Sequence, residues 1–427
     1  MFEKLWKMKE GFAFGAGLLT VGFALQYTVG AINWSAFAFP VNMLFLFLLL
    51  LFLAVVYGCR NRVRLFAFSF TAEAAVPSLF YAVILTIVMG LVRQVPSHVP
   101  SPGVLGLSQM LSFWPFVLIY LWLSVIVALI AIHQLFHFRW RKLPSLFCHM
   151  GLFIAIVSAT LGSADMQRYK LKANMEMPEW RGVDEKGNVH ELPVAILLKK
   201  FTIEEYPPKI LIVDNHTGEG VPADKPEIVV VDKHFKEGRL SDWRIRVISH
   251  LSLSAPVMTR DTTYYTPWAS SGAVTSLLVE AQPVSGGQGR DRAVRGWITC
   301  GSYLFPFQNL KLNNRFSLVM SNREPARYIS RIQVLTKTQK NILTSVEVNK
   351  PFSVDGWDIY QVSYDERMGR WSETSTFELI ADPWLPAVYT GIGMLLVGAM
   401  LVFAFAQKRK PQEREAVYEY SKPEQTI

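Results

Sequence analysis

Apolar residues in this chain of 427 residues gather in long, almost charge-free blocks, unlike the short interrupted runs of a soluble core. Windows of roughly 20 residues predict six membrane-crossing helices, at 11–30, 39–57, 74–92, 113–136, 145–162 and 385–406. Between the fifth and sixth the pattern changes. Short runs rich in Val, Ile, Tyr and Thr, separated by Gly, Pro, Asn and Asp, read as strands at 194–203, 210–213, 227–231, 243–252, 274–280, 295–299, 316–320, 328–335, 343–348, 357–363 and 374–380. Helical periodicity is scarce among them, which predicts an antiparallel sandwich or barrel-like domain large enough for its own core. The expected fold is a polytopic α-helical membrane protein with six transmembrane helices and a large extracytoplasmic, mainly antiparallel β domain between helices five and six.

That pattern divides the chain into two N-terminal spans (1–65), three further spans (66–162), the β domain (163–383), a last span (384–407) and a tail (408–427). Charge then orients the spans, because Lys and Arg accumulate on the cytoplasmic side. Lys4, Lys7 and Lys9 precede span one, and Arg60, Arg62 and Arg64 follow span two. Arg139, Arg141 and Lys142 lie between four and five, and Lys408, Arg409 and Lys410 follow six. The opposite connections hold only Arg93 beside the membrane. Both termini are therefore expected in the cytoplasm and residues 163–383 outside. Trp34, Trp114 and Trp384 at outer span ends and Trp140 at an inner one fit an interfacial aromatic belt.

A net charge of +9 raises the question of nucleic acid, but its distribution answers it. Residues 163–383 hold 28 Lys plus Arg against 27 Asp plus Glu, whereas the remainder holds 15 against 7. The excess sits where topology requires it, and no nucleic-acid partner is implied. The first apolar run is too long, and lacks the small-residue site, for a cleavable signal peptide. Cys59 and Cys148 fall outside the exported region, so Cys300 has no disulfide partner there. Neither CxxCH nor CxxC occurs, which excludes a c-type cytochrome and a dithiol oxidoreductase. His190, His216, His234 and His250 show no metal-ligand spacing, and the segment 285–289 lacks the Lys and helix of a phosphate cradle.

The candidate chemistry lies in span five. His149 stands near its start, in Leu143-Pro-Ser-Leu-Phe-Cys-His149-Met-Gly, where a polar ring among apolar residues needs a compensating partner. A helix–helix hydrogen bond, a proton path and a haem iron are all open to it. His133 and His137 share one face of span four at a similar depth, where interfacial snorkelling explains them unless His133 supplies a ligand. Cys148 points about 100° away from His149 around the helix, as packing would have it.

Two stretches carry a family resemblance. The first runs from Leu143 through His149-Met-Gly to the strand-like Tyr169-Lys-Leu-Lys. The second is an ordered set: Pro325-Ala-Arg-Tyr328-Ile-Ser330, Val348-Asn349-Lys-Pro351, Gly356-Trp-Asp-Ile-Tyr360-Gln361-Val-Ser-Tyr364-Asp365 and Asp382-Pro383-Trp-Leu-Pro386-Ala-Val-Tyr389-Thr-Gly391. From about residue 74 to 410 the chain resembles the ResB (CcsB) family of System II cytochrome c biogenesis; spans one and two look like an addition to that pattern.

The resemblance implies a membrane subunit of a cytochrome c synthetase complex that binds haem b, helps move it outward and presents it to apocytochrome c. It also implies a CcsA-type tryptophan-rich partner, whose signature this chain lacks, a thiol–disulfide reductant of apocytochrome c, and the bacterial cytoplasmic membrane as location. By the resemblance His149 maps onto the family's intramembrane haem ligand, with the other axial ligand coming from a partner helix; Arg139, Arg141 and Lys142, just outside the span, are candidate propionate contacts, and His133, at a matching depth, is a candidate second ligand from the same chain. No catalytic residue is expected on this chain alone. A respiratory haem b subunit is the competing class, yet the intramembrane histidines cluster at one face and only His98 lies in an outer loop. A membrane-anchored β-domain scaffold is the other, and it would leave His149 idle.

Overall fold

The computed structural model describes residues 7–96, 99, 106–260, 262–284 and 292–407. Lys4, His98, the segment 285–289 and the tail with Lys408, Arg409 and Lys410 lie outside the described residues. The chain forms two compact units, one comprising 1–167 with 381–427 and the other 168–380.

The first unit contains α1 (Met8–Thr28), α2 (Val41–Cys59), the short α3 (Arg64–Phe68), α4 (Ala72–Leu91), α5 (Trp114–Phe136), α6 (Leu143–Gly162) and α7 (Leu385–Gln407). Among the described residues, six of these are long and apolar enough to cross a membrane. They start and end within three residues of the expected spans. α5 is the central helix: 61% of its span is buried, against 11–33% for the other five. Its apolar side chains pack on those of α2, α4 and α6, with Ile119, Ile126 and Leu129 fully enclosed.

The N-terminal pair is built into this bundle. Close approach places Gly15 against the Tyr81 ring of α4 and Gly22 against Pro115 of α5, where an added Cβ would fall 2.3 Å and 2.6 Å from its neighbours. The Tyr81 hydroxyl also donates to the Phe12 carbonyl of α1 at 2.9 Å.

In the second unit, β1 (Gln167–Asn174), β2 (Glu179–Val183), β3 (Val189–Glu205), β4 (Lys209–Asp214), β5 (Ile228–Val230) and β6 (Glu237–Leu240) come first. β7 (Trp243–Met258), β8 (Thr263–Pro267), β9 (Val274–Pro283), β10 (Val294–Thr299), β11 (Leu310–Lys311) and β12 (Phe316–Met320) follow. β13 (Pro325–Thr336), β14 (Asn341–Glu347), β15 (Phe352–Val354), β16 (Trp357–Tyr364) and β17 (Thr374–Ala381) complete it. All eleven expected strands form. β1 forms around the strand-like Tyr169-Lys-Leu-Lys, and the short β2, β6, β8, β11 and β15 add to these, their apolar alternation spanning too few residues to register in the sequence.

The strands make an eight-stranded sheet ordered β14-β13-β3-β2-β1-β17-β16-β15, a five-stranded sheet β10-β9-β7-β6 with β8 on β7, and a four-stranded sheet β11-β12-β4-β5. Ile210, Ile212 and Leu318 of the smallest sheet enclose a core with Ile245, Leu277, Val279 and Ile298 of the five-stranded one. Glu205, at the end of β3, ties the large sheet to that pair. It meets Arg323 at 3.5 Å and Arg370 at 3.1 Å, while Arg323 donates to Thr275 on β9 and to the Tyr206 carbonyl. β1 and β17 are neighbours, so the strands joined to α6 and α7 leave the sheet side by side.

Candidate functional site

α6 opens with Pro144 in its first turn, where a missing N–H costs no hydrogen bond. One turn further in stands His149, half-buried. Its Nδ1 lies 2.6 Å from the carbonyl oxygen of Ser145 and 3.2 Å from the Ser145 hydroxyl. A carbonyl can only accept, so the contact needs the proton on Nδ1, and in the neutral ring Nε2 then keeps the lone pair. Gln134 of α5 donates from Nε2 to the same hydroxyl at 2.9 Å, while its Oε1 is buried without a hydrogen-bond partner.

His133 faces elsewhere. Its ring stacks on His137 with centroids 4.4 Å apart and touches Tyr57 of α2 and Phe70, and its buried Nδ1 has no partner. The His137 Nδ1 lies 3.1 Å from the His133 carbonyl, the same contact across one helical turn that His149 makes with Ser145. α5 thus presents His133 to α2 and its sequence neighbour Gln134 to α6. The structure brings Gln134, Ser145 and His149 together and groups His133 with His137. Arg139, Arg141 and Lys142 are exposed around the short turn Trp140–Lys142 that leads into α6.

Gln134 and Ser145 escaped the sequence reading, although both signals were present. An amide one residue from His133 in an apolar helix is as costly as a histidine. A serine four residues before His149 shares its helix face.

Glycines seat α6 against α7. A Cβ on Gly151 would lie 2.6 Å from the Gly391 carbonyl oxygen, and one on Gly391 would lie 2.6 Å from the Ala155 nitrogen. Backbones this close need small residues, and Gly151-x-x-x-Ala155 is the pattern that provides them. The Cys148 sulfur sits in the same seam, where a Cβ on Gly398 would approach it to 2.7 Å, so this thiol packs on α7.

At the opposite end of the same helices Asp165 accepts three hydrogen bonds, each of 2.7 Å, from the Phe39 N–H, the Asn42 amide and the Trp384 indole. Burial alone would push its carboxyl up, but these donors outweigh that and hold it below the usual carboxylate range. Asn42, in α2, is fully buried and also donates to the Leu161 carbonyl. A cleft of about 620 Å³ opens here between Phe39, Met43, Asp165 and Trp384.

In the β domain the motif residues sit near both ends of the large sheet's strand order, on β13 at one end and on β15 and β16 at the other. Asp355 and Gly356 both have positive φ, 49° and 80°, and link β15 to β16 by a two-residue turn in which Val354 pairs with Trp357. Tyr364 stacks on Phe201 at 4.9 Å and meets Tyr328 at 5.4 Å. Ser330 and Ser375 hydroxyls bond at 3.0 Å in full burial, and Gln361 is buried with Oε1 unpartnered. Asp382 caps α7 by accepting from the Trp384 and Leu385 N–H groups. His190 pairs with Asp184 at 3.1 Å and His216 with Asp214 at 3.6 Å.

No curated protein matches the chain. Residues 302–375, which contain β11 to β16, match the model of the ResB-like family, a match consistent with a role in cytochrome c biogenesis.

Proposed function

We propose that this chain is the membrane subunit of a System II cytochrome c synthetase complex. It takes up haem b as its cargo near the cytoplasmic ends of α5 and α6, helps move it outward and presents it to apocytochrome c. The observation that carries the reading is the 2.6 Å contact between His149 Nδ1 and the Ser145 carbonyl. A metal-ligating histidine characteristically gives its other ring N–H to a carbonyl or carboxylate, which fixes the tautomer and leaves one nitrogen free to coordinate. His149 meets that requirement within its own helix.

In this reading six spans lie in the bacterial cytoplasmic membrane, both termini face the cytoplasm, and residues 163–383 lie outside, as the Lys and Arg distribution supports. When haem is bound, its iron would supply a Lewis-acid centre, and His149 Nε2 would hold it. Arg139, Arg141 and Lys142, exposed beside the start of α6, offer charge-assisted hydrogen bonds to propionates. His133, turned toward Tyr57 and His137, is not placed to share that iron, so a further ligand would come from the CcsA-type tryptophan-rich partner. That partner carries the attachment step, and a thiol–disulfide reductant keeps the apocytochrome cysteines reactive.

Co-expression with such a partner tests this. The complex should purify with haem, His149→Gly should lose most of it, and added imidazole should restore binding. Full haem content in His149→Gly would overturn the assignment of His149.

A further inference from the structure

Gln134 is the polar residue that the reading of His149 leaves unexplained. It reaches from α5 to the Ser145 hydroxyl at 2.9 Å, and that hydroxyl lies 3.2 Å from His149 Nδ1. A buried amide with one unpartnered oxygen carries a cost of about 1–3 kcal/mol, which an apolar residue at this position would avoid. The amide does link two helices through a side chain that hydrogen-bonds the His149 ring.

We propose that Gln134 and Ser145 are positioning residues that hold His149 as the Nδ1-protonated tautomer, with Nε2 turned out as a preset ligand for haem iron. The inference rests on His149 being a haem ligand. Within a helix, a ring nitrogen facing the carbonyl one turn back can rotate away about χ1 and χ2. The Ser145 hydroxyl gives Nδ1–H a second acceptor, and Gln134 fixes that hydroxyl from the neighbouring helix. The N–H is therefore forked between two oxygens of one residue, and the ring plane is set before any ligand arrives. His137 makes the carbonyl contact at 3.1 Å on an exposed turn, where the residue one turn back is His133 and not a serine. The arrangement around His149 is the more constrained of the two.

The test uses the full chain, labelled at histidine nitrogen and purified in detergent without haem, with His149→Gly to assign the His149 resonances. Nitrogen NMR of the unsubstituted chain should show one His149 tautomer, protonated at Nδ1. Gln134→Leu and Ser145→Ala should each give a mixture of both tautomers, and Ser145→Thr, which keeps a hydroxyl, should restore the single form. Haem titration should then show roughly 10–100-fold weaker binding in Gln134→Leu and Ser145→Ala, as expected on losing a group that orients a metal ligand. Gln134→Met serves if Gln134→Leu fails to fold. A single unchanged tautomer in the Gln134 and Ser145 variants, or haem affinity equal to that of the unsubstituted chain, would overturn the proposal. Haem retained by His149→Gly would instead remove the underlying ligand assignment, while the tautomer measurement would still decide what Gln134 and Ser145 do.

Discussion

Removing the Asp165 carboxylate should loosen α2 from α6 and α7. In Asp165→Ala the Trp384 indole and the Phe39 N–H lose their acceptor, and the Asn42 amide keeps only the Leu161 carbonyl at 3.2 Å. A hydrogen bond to a charged group contributes about 1.5–3 kcal/mol. Phe39 is exposed, so water replaces part of its loss, and the solvent-facing side of the carboxylate screens its charge. The expected cost is therefore about 2–4 kcal/mol, carried mostly by Asn42 and Trp384. Asp165→Asn should cost about half as much, because its NH₂ must face one of the three donors. Equilibrium unfolding of the chain in detergent, with a double-mutant cycle against Asn42→Ala, measures both the total and the coupling. A coupling energy near zero, or an Asp165→Ala variant within about 0.5 kcal/mol of the unsubstituted chain, would refute the clasp.

The same carboxylate gives a pH dependence. Because its folded pKa is depressed, its stabilisation is present above the unfolded carboxylate value and is lost as pH falls through the lower folded one. Acid titration of unfolding should therefore show a falling limb below the usual carboxylate range that is missing in Asp165→Ala. In the helix seam, Gly151→Val brings side-chain carbon against the Gly391 carbonyl oxygen 2.6 Å from its Cβ, so α6 and α7 must part. Overpacking of this kind costs about 1–3 kcal/mol, to be read as a lower melting temperature, and an unchanged melt would show that the seam yields freely. In the β domain, Glu205→Ala leaves Arg323 and Arg370, whose side chains are 15% and 22% exposed, without their shared carboxylate. A drop of about 3–5 kcal/mol is expected by denaturant unfolding; a loss below about 1 kcal/mol, the range of an exposed pair, would mean water already screens the cluster.

The six long helices were legible in the chain alone, because uninterrupted apolar runs of about 20 residues stand out from the short runs of a β domain. Equally legible were the longer strands, whose alternation repeats often enough to register, and the turn at Gly356, since Asp-Gly between two apolar runs specifies a tight hairpin. His149 stood out for the same reason: a ring among apolar residues is visible as an exception. What that ring meets follows from how the helices pack. His133 and Gln134 are adjacent in sequence, yet a rotation of 100° per residue sends one to Tyr57 and the other to Ser145, and which helix waits on each side is a property of packing. Likewise, Asp165 reads as an ordinary polar residue after a span. Its three donors come from Phe39, Asn42 and Trp384, more than 120 residues before it in two cases and more than 200 after it in the third. The periodicity of a chain reports which face of each element is apolar, whereas the hydrogen bonds between elements depend on which faces meet.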